Sequence, residues 1–453
     1  MLGLDKDVVE LAQQPTDERV RGLKRIIPCS TVKKILRRSK RKPHCPRLPK
    51  WFMVWFVIGL GLFCTDSYRQ IFRWFNRFQR GGTPERSTLC EARQRLGVAP
   101  LRWLFDAVVK LWGTATTPAC FYEGLRLMAL DGFLVDVPDT PDNDRVFSRP
   151  RNGHASGAFP QVRILALCEV GTHILWKYLI KPMRRAEITM AHVLLRFLDP
   201  GMLLLWDRGF LSYDHVAQVL FQGAQLLARV KTNLVFMRRK PLPDGSYLAK
   251  LYPSAHDRAY DRKGIEMRVI EYTFRDPART GSGERHRLLT TLVDWRRHAA
   301  KRLIELYHER WEEELAIDEL KTHQRQRPVL RSQTPAGVVQ EIVGLLLGHY
   351  VIRVLMCEAA AREEIAPRRL SFTNALKILH CRLPECPHGD AGRTRWYDAL
   401  LAEIGEERLQ ERRDRINPRA IKRKISKWLK KRPEHRRYPQ PTKRFRKSLV
   451  MLR

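Results

Sequence analysis

The sequence is short of acidic side chains. Its 453 residues contain 48 Asp and Glu against 84 Lys and Arg, and the formal net charge at pH 7 is +36. Residues 19–50 contain 13 Lys or Arg and no acid, and residues 412–453 contain 18 against Asp414 and Glu434. Solubility does not require charge of one sign this dense, although a merely solubilising tail is the alternative. Basic arms on a nearly balanced body indicate a protein that binds nucleic acid and releases it in salt.

The chain also lacks signs of secretion. Its first residues, MLGLDKDVVELAQQ, have neither the basic start nor the apolar run of a signal peptide. The nine cysteines are scattered, and we expect reduced thiols in a cytosolic protein. His380, Cys381, Cys386 and His388 cluster in sequence, but their spacing matches no common zinc pattern.

Long uninterrupted apolar runs are missing as well. The run Trp51–Cys64 is too short to span a bilayer. The longer stretch Val338–Met356 is interrupted by Glu341, His349 and Arg353. We therefore predict no membrane-spanning segment and interpret both runs as buried core helices.

Several catalytic signatures are absent. No GxxxxGK[ST] loop occurs, so nothing supports an ATP-driven mechanism or a nucleotide cofactor. The HExxH zinc motif, the paired zinc ligands of a deaminase and the GxSxG nucleophile motif are missing too. Other nucleic-acid or nucleotide chemistries thus lack their signatures in this sequence.

The order of patterns predicts an α/β protein with additional domains. Residues 1–120 show helical spacing and read as a basic N-terminal DNA-binding domain. Residues 121–232 predict the first part of a catalytic core, a mixed sheet with helices on both faces. Residues 233–295 carry short β-prone runs broken by Pro, Gly and Asp, and predict a β-rich insertion. Residues 296–380 would complete the core, and residues 381–453 would form a C-terminal region whose basic tail, from Arg412, is extended and ordered only on DNA.

Within the first part of the core, strands and helices can be placed individually. Two strands meet at a predicted break at Asp131-Gly132, a hairpin follows, and a short buried strand ends at Asp207 before a helix and another strand. The segments in chain order are LRLMAL (125–130), FLVDV (133–137), QVRILALCEV (161–170), HILWKYLI (173–180), GMLLLWD (201–207), the helix 213–222 and QLLARVK (225–231).

One segment of the second part has an unusual spacing. In YHERWEEELAIDELK, residues Tyr307, Arg310, Glu314 and Lys321 stand at offsets 0, 3, 7 and 14. On one helix these positions fall within about 60° of each other, on a stripe about 20 Å long. A carboxylate flanked by cations suits the binding of metal ions and phosphates. A solvated helix face with i,i+4 ion pairs would give the same spacing.

Three acids are candidates for metal chemistry. Asp131 and Asp207 each follow an apolar strand, where active sites of open α/β sheets gather, and Glu314 would complete a triad. Three carboxylates would hold Mg²⁺ or Mn²⁺, with two ions clamping the oxygens of an in-line phosphoryl transfer. A single Asp after a strand is commonly a helix cap or a turn former. Asp136 is a rival to Asp131, but it lies inside the predicted outgoing strand.

These residues resemble a known family, the DDE transposases of bacterial insertion sequences, and specifically the insertion-sequence-4 family. The family signature Y-x2-R-x3-E-x6-K is matched in full by Tyr307, Arg310, Glu314 and Lys321. The segments that also resemble the family are LDG (130–132), PDTPDN (138–143), PQVRILALCEVGTHIL (160–175), WDRGF (206–210), STLCEARQRLG (87–97) and NPRAIKRKISKW (417–428).

The resemblance implies a ribonuclease-H-like catalytic core interrupted by a β-rich insertion between the second aspartate and the glutamate. It implies that Asp131, Asp207 and Glu314 are catalytic metal ligands. It also implies metal-dependent cleavage and strand transfer at transposon ends, carried out by a homodimer that pairs two ends. The DNA-contacting candidates that it implies are Tyr307, Arg310, Lys321, Trp311 and Arg208.

In relatives an aromatic residue of the insertion stacks on a flipped base, and Trp295 or Tyr272 would be that residue here. Two alternatives stay open on the sequence: a metal-dependent nuclease of the same fold without strand transfer, and a non-catalytic DNA-binding protein on the same scaffold. The second predicts the loss of one acid, whereas Asp131, Asp207 and Glu314 are all present.

Overall fold

The computed structural model describes residues 20–38, 48–75, 82–152, 155–230, 234, 236–277, 282–387, 389–410 and 443–452. The described helices are α1 (Cys29–Arg37), α2 (Lys50–Leu62), α3 (Tyr68–Phe75), α4 (Arg86–Leu96), α5 (Ala99–Val108), α6 (Pro141–Phe147), α7 (Glu187–Leu194), α8 (Tyr213–Phe221), α9 (Ala255–Ala259), α10 (Ala300–His308), α11 (Trp311–Asp318), α12 (Pro335–Arg362), α13 (Phe372–Arg382), α14 (Asp390–Glu406) and α15 (Phe445–Ser448).

The described strands are β1 (Phe121–Tyr122), β2 (Leu125–Asp136), β3 (Arg151–Asn152), β4 (Ala155–Ser156), β5 (Gln161–Glu169), β6 (Ile174–Pro182), β7 (Met202–Trp206), β8 (Gln225–Arg229), β9 (Lys240–Pro241), β10 (Tyr247–Leu251), β11 (Ile265–Phe274), β12 (His286–Thr290) and β13 (Leu449–Met451). Short 3₁₀ turns occur at Val20–Arg25, Leu195–Phe197, Pro367–Arg369 and Leu383–Glu385, and a π-helical turn spans Glu319–Gln324.

The chain divides into two compact units. The first consists of Met1–Gly124, Leu130–Met190 and Glu312–Arg408, and the second of Leu125–Ala129, Ala191–Trp311 and Leu409–Arg453. The coarse prediction of a mixed α/β protein with a large mixed sheet and many helices is confirmed. The predicted domain boundaries stay a prediction.

The first unit is built around α12. Thr334 caps this helix by accepting a hydrogen bond from Gly337 N, and Pro335 occupies its first turn, where its missing N–H is not needed. The helix is long and apolar enough to cross a membrane, but 94% of its most apolar window is buried inside the protein. It is therefore a core helix, as the sequence predicted.

Helix α2 crosses α12 at a backbone contact. The side chains from Phe52 to Leu62 are buried, because this helix is apolar on all sides. A Cβ on Gly61 would lie 2.1 Å from Gly344 O, and one on Gly344 would lie 2.3 Å from Val57 O. Glycine is required at both positions, since only hydrogen lets the two backbones approach this closely.

The sheet of the first unit contains a hairpin and the strand beside it. Strands β5 and β6 pair antiparallel from Val162↔Pro182 to Glu169↔Ile174, with one irregularity after Leu167, which confirms the predicted hairpin. Strand β2 lies beside β5 in the sheet.

One prediction about β2 is wrong. Asp131-Gly132 does not separate two strands, because the chain continues as one strand from Leu125 to Asp136. Gly132 is not among the glycines with a positive φ, so it needs no turn and continues the strand. Asp131 consequently lies inside the strand, and its rival Asp136 occupies the strand end.

The second unit contains a mixed sheet with the order β7-β8-β12-β11-β10-β9. Strands β7 and β8 are parallel, joined through α8, and β12 pairs antiparallel with β8 from Leu288↔Arg229 to Thr290↔Leu227. The strands of the β-rich segment thus extend the same sheet as β7.

The end of the C-terminal tail is also ordered, contrary to the prediction. Strand β13 pairs antiparallel with β11, from Tyr272↔Met451 to Phe274↔Leu449. Strand β10 pairs with β11 only from Ile265 to Val269, and the short run Leu449–Met451 pairs with β11 beyond that point. The greater part of the basic tail, residues 411–442, lies outside the described residues, as do residues 1–19 and 39–47 of the N-terminal segment.

Candidate active site

An open cleft of about 430 Å³ in the first unit brings three of the predicted site residues together. Asp131 lines it from β2, Glu314 from α11 and Lys321 from the π-helical turn that follows. All three side chains are half-buried. Carboxylates and an ammonium therefore face the same solvent-accessible space.

The helical spacing explains which residues reach the cleft. Glu314, Ile317 and Lys321 stand at i, i+3 and i+7, positions that share one helix face, and all three line the cleft. Glu312 and Glu319 are also seven residues apart, but they share a different face and are buried. Helix α11 and the π-helical turn that continues it thus present Glu314 to solvent and two other acids to the interior.

The predicted single stripe from Tyr307 to Lys321 is wrong in one respect. Helix α10 ends at His308, α11 begins at Trp311, and the helix turns into a π-helical segment at Glu319. The break arises where the N–H of Arg310 bonds three residues back to Tyr307 O at 3.1 Å, which tightens the backbone. Tyr307 therefore lies on α10 and Arg310 in the break, whereas Glu314 lies on α11 and Lys321 in the π-helical turn.

The cleft contains an ion pair that the sequence did not identify. Arg163 on β5 and Glu187 at the start of α7 line the cleft and form a salt bridge through Nη1 and Oε1. Arg163 Nε also donates to Met183 O at 3.3 Å. The available signals were weak, because an arginine in a strand and a glutamate opening a helix are both common.

Gly132 leaves room for Glu187 beside β2. A Cβ added to Gly132 would lie 2.7 Å from Glu187 Oε1, so glycine makes room for this carboxylate. Asp131 is itself oriented by the strand, since its Oδ1 accepts a hydrogen bond from Gly132 N at 2.8 Å. The glycine after the aspartate is a packing requirement of the cleft.

Glu319 is the charged centre of the interior face. Burial raises the pKa of its carboxyl, but the nearby Arg353 and His173 outweigh burial and hold the pKa well below its usual range. Arg353 Nε donates to Glu319 Oε2 at 2.9 Å, and His173 Nδ1 lies 3.0 Å from Glu319 Oε1. The buried carboxylate is thus paired and hydrogen-bonded, as a buried charge must be.

The second unit carries Asp207 at the end of β7. The five residues of β7 are buried, and Asp207 follows them half-buried, with Oδ1 accepting from Arg208 N at 2.7 Å. The Arg208 side chain is exposed. As predicted, Asp207 terminates a buried strand.

Tyr307 and Arg310 lie near this strand end. The Tyr307 hydroxyl donates to Trp206 O at 3.3 Å, and the Arg310 guanidinium lies 6.0 Å from the Tyr307 ring centre. Burial raises the pKa of Tyr307 to about 12, Arg310 opposes the shift, and the negative charge of Asp207 adds to it. Tyr307 therefore stays neutral and anchors the backbone beside Asp207; the predicted phosphate contacts of Tyr307 and Arg310 stay predictions.

The aromatic candidates have different environments. Trp311 is the first residue of α11, and its side chain lies outside the described part of the chain. Tyr272 is buried inside β11 beside the rings of Phe274 and His286, so it has no exposed face on which a flipped base could stack, contrary to the expectation. Trp295 is half-buried, with the Arg296 guanidinium 4.9 Å from its ring centre.

The donor atoms suit a hard divalent cation. Asp131 and Glu314 offer carboxylate oxygens to the cleft, the ligands that Mg²⁺ and Mn²⁺ prefer. Among the described residues, no three His, Cys, Asp or Glu side chains are grouped closely enough to hold a metal ion. Closely spaced carboxylates repel each other without a cation between them. The joint action of Asp131, Asp207 and Glu314 stays a prediction.

Similarity to known proteins identifies the family of this chain. Residues 17–106 match the insertion element 4 transposase N-terminal family, and residues 122–351 match the transposase DDE domain family. The chain is 30% identical over 384 residues to the transposase InsG for insertion sequence element IS4 of Escherichia coli strain K12, covering 83% of this chain and 86% of the relative. The chain belongs to the IS4 family of DDE transposases.

Two further proteins are similar to this transposase. The putative transposase InsZ of the same organism is 30% identical over 173 residues, covering 37% of this chain and 56% of the relative. The piggyBac transposase, in a synaptic complex with hairpin DNA, is 10% identical with a TM-score of 0.42, covering 87% of this chain and 86% of that one. As an IS4-family transposase, the protein is a DNA-cleaving enzyme of transposition, which removes both alternatives left open by the sequence.

Proposed function

We propose that Asp131, Asp207 and Glu314 are the catalytic metal ligands of this transposase, acting at the ends of an insertion sequence. The observation that carries the proposal is the cleft that Asp131 and Glu314 share with two cations, Lys321 and Arg163. DDE transposases depend on divalent metal ions, and the oxygen donors here fit Mg²⁺, with Mn²⁺ as a substitute. We further propose that the core is ribonuclease-H-like.

Each group has a distinct task in this proposal. Asp131, fixed by the strand backbone, and Glu314, fixed by α11, would hold two cations together with Asp207. When bound, the two ions would stabilise charge on the attacking and leaving oxygens of the phosphodiester. Lys321 and Arg163 orient the phosphates of the DNA backbone from the cleft wall, and Arg310 and the exposed Arg208 do so at the end of β7. Tyr307 holds the strand end beside Asp207, and Trp311 contacts the DNA end.

The basic arms and a second protomer complete the proposal. The positive segments at 19–50 and 412–453 would neutralise phosphates of the transposon end and the target DNA. Cleavage of two ends in one reaction requires that they be held together, and we propose a homodimer for the end-paired complex. The protein would act in the bacterial cytoplasm, on nucleoid DNA.

Amide substitutions test the three acids. Asp131→Asn, Asp207→Asn and Glu314→Gln should each slow single-turnover cleavage of end-bearing DNA in Mg²⁺ by about a thousandfold or more. The ions contribute several kcal/mol to the transition state, and about 1.4 kcal/mol corresponds to a factor of ten. Binding of the end, measured by gel shift, should change little, because the basic arms are intact.

Asp136→Asn is the matched control. Asp136 ends the same strand as Asp131, but its Oδ1 accepts from Gln161 Nε2 at 2.8 Å, and it does not line the cleft. This variant should cleave at close to the wild-type rate. The assignment is wrong for any of the three acids whose amide variant still cleaves like the wild type, or if Asp136→Asn is the variant that loses activity.

A further inference from the structure

The interior face of α11 contacts a histidine in the turn between β5 and β6. His173 Nε2 lies 3.0 Å from Glu312 Oε2, and His173 Nδ1 lies 3.0 Å from Glu319 Oε1. The side chain of His173 is 1% exposed. A single imidazole ring thus contacts carboxylates near both ends of the helix that carries Glu314.

Helix geometry relates this contact to the cleft. Glu312 and Glu319 are seven residues apart, about 20° from alignment on a helix. Glu314 lies about 200° from Glu312 and about 140° from Glu319, on the opposite face. The contacts of Glu312 and Glu319 with His173 therefore fix the rotation of α11 about its axis. The opposite face of the same helix carries Glu314 into the cleft.

Other elements make the contact rigid. His173 lies in the turn between β5 and β6 with φ +59, a left-handed conformation that is uncommon outside glycine. Arg353 of α12 donates to Glu319 and also contacts His173, and His349 Nε2 lies 3.3 Å from Glu319 Oε2. The hairpin turn, α11 and the core helix α12 are thereby joined through one buried set of side chains.

We propose that His173 is a positioning residue that sets the rotation of α11 and so directs Glu314 at the metal-binding cleft. The proposal rests on the assignment of Glu314 as a metal ligand. A helix rotated by about 20° moves an atom at a radius of about 6 Å by about 2 Å. Metal sites tolerate deviations in ligand distance of about 0.2 Å. Loss of the imidazole contacts should therefore weaken metal binding more than it lowers the stability of the fold.

His173→Asn is the first test. Asparagine adopts positive φ more readily than most residues, so the turn is retained, but its side chain is too short to contact both carboxylates. We expect the half-saturating Mn²⁺ concentration, measured by electron paramagnetic resonance on the full-length protein with end DNA, to rise about tenfold to a hundredfold. The cleavage rate at subsaturating metal should fall in parallel.

His380→Asn is the matched control. It removes another histidine whose ring is largely enclosed and whose Nε2 contacts a backbone oxygen, Leu62 O, at 2.8 Å. Its Mn²⁺ affinity should equal that of the wild type, even where its melting temperature falls. A purely structural role for His173 predicts that both variants change Mn²⁺ affinity only as far as their stability changes, and that result would overturn the proposal.

A second pair of variants keeps the test decisive if His173→Asn does not fold. Glu312→Gln and Glu312→Leu both remove the charge, but only glutamine keeps an oxygen that accepts a hydrogen bond from His173 Nε2. We expect the leucine variant to raise the half-saturating Mn²⁺ concentration at least about tenfold, and the glutamine variant to raise it less. Equal effects of the two substitutions would contradict the positioning role.

Glu314→Gln separates this proposal from the one on which it rests. If Glu314→Gln leaves Mn²⁺ binding unchanged, Glu314 is not a ligand and the proposed function fails. If Glu314→Gln weakens Mn²⁺ binding while folded His173→Asn binds like the wild type, only the positioning role is wrong. If both weaken binding and His380→Asn does not, both proposals are supported.

Discussion

At the scale of single residues, the site depends on small side chains as much as on acids. Gly132 follows the predicted ligand Asp131, and the absence of a side chain there lets Glu187 pack against the strand while it pairs with Arg163. The Asp131-Gly132 pair suggests a turn after the aspartate, but the glycine instead leaves space for the Glu187 side chain. Sequence alone suggests the turn, because glycine is common in turns and the strand context is known only after pairing.

Gly132→Ala should therefore disturb the cleft through Glu187. The added Cβ would force the carboxylate to move and break its pairing with Arg163, at a cost of about 1–3 kcal/mol in the free energy of unfolding. Combining it with Glu187→Ala should give a double variant that is destabilised by less than the sum of the two single changes. Chemical denaturation of all four proteins measures this coupling.

Strict additivity of the two substitutions would contradict the packing account. It would mean that the Glu187 carboxylate is not what limits the space at position 132. The cleavage rate of the double variant then shows whether Arg163 needs Glu187 in order to act on the DNA.

At the scale of secondary-structure elements, the crossing of α2 and α12 joins the N-terminal helices to the helices that follow the signature. Both helices are largely buried and lie in the first unit. Their closest approach is made by backbone atoms at Gly61 and Gly344. Segments matched by two separate families therefore share one hydrophobic core.

Gly61→Ala should destabilise the first unit strongly. The new methyl group would lie 2.1 Å from Gly344 O, a backbone atom that cannot rotate away, so we expect a loss of about 3 kcal/mol in the free energy of unfolding. Gly209→Ala is the control, because a Cβ there meets nothing within 4 Å and φ is not positive. Thermal unfolding of both variants measures the difference, and an equal effect would show that the helix crossing adjusts.

The same scale shows what the sequence could and could not predict. Strand β7, the β5–β6 hairpin and the core helix α12 were predicted because apolar runs with clear ends specify their own structure. The break at Glu309–Arg310 and the continuity of β2 through Gly132 were missed, since both depend on local hydrogen bonding.

Some residues of the candidate site could be predicted from the sequence and others could not. Asp131, Glu314 and Lys321 were found by spacing and resemblance, and they line one cleft. His173 and Arg353 were not identified from the sequence. Their role depends on the contact that each makes with Glu319, and neither spacing nor composition predicts that contact. Periodicity does place Glu312 and Glu319 on one helix face, but it does not identify what they contact.

At the scale of the whole molecule, the proposed catalysis requires three acids from distant parts of the chain to act together on DNA. Asp131 and Glu314 are described in the first unit and Asp207 in the second. In the proposed site, bound cations would offset the negative charge of the three carboxylates, and the basic arms would bring the phosphates. Bound DNA and bound metal are therefore expected to favour the same catalytic arrangement.

The most direct test is the anomalous scattering of Mn²⁺ in crystals of the full-length transposase with end DNA. The account predicts two peaks about 4 Å apart, with oxygen ligands from Asp131, Asp207 and Glu314 and the scissile phosphate between them. Peaks at another group of side chains, or peaks that any one of these three carboxylates fails to touch, would contradict it.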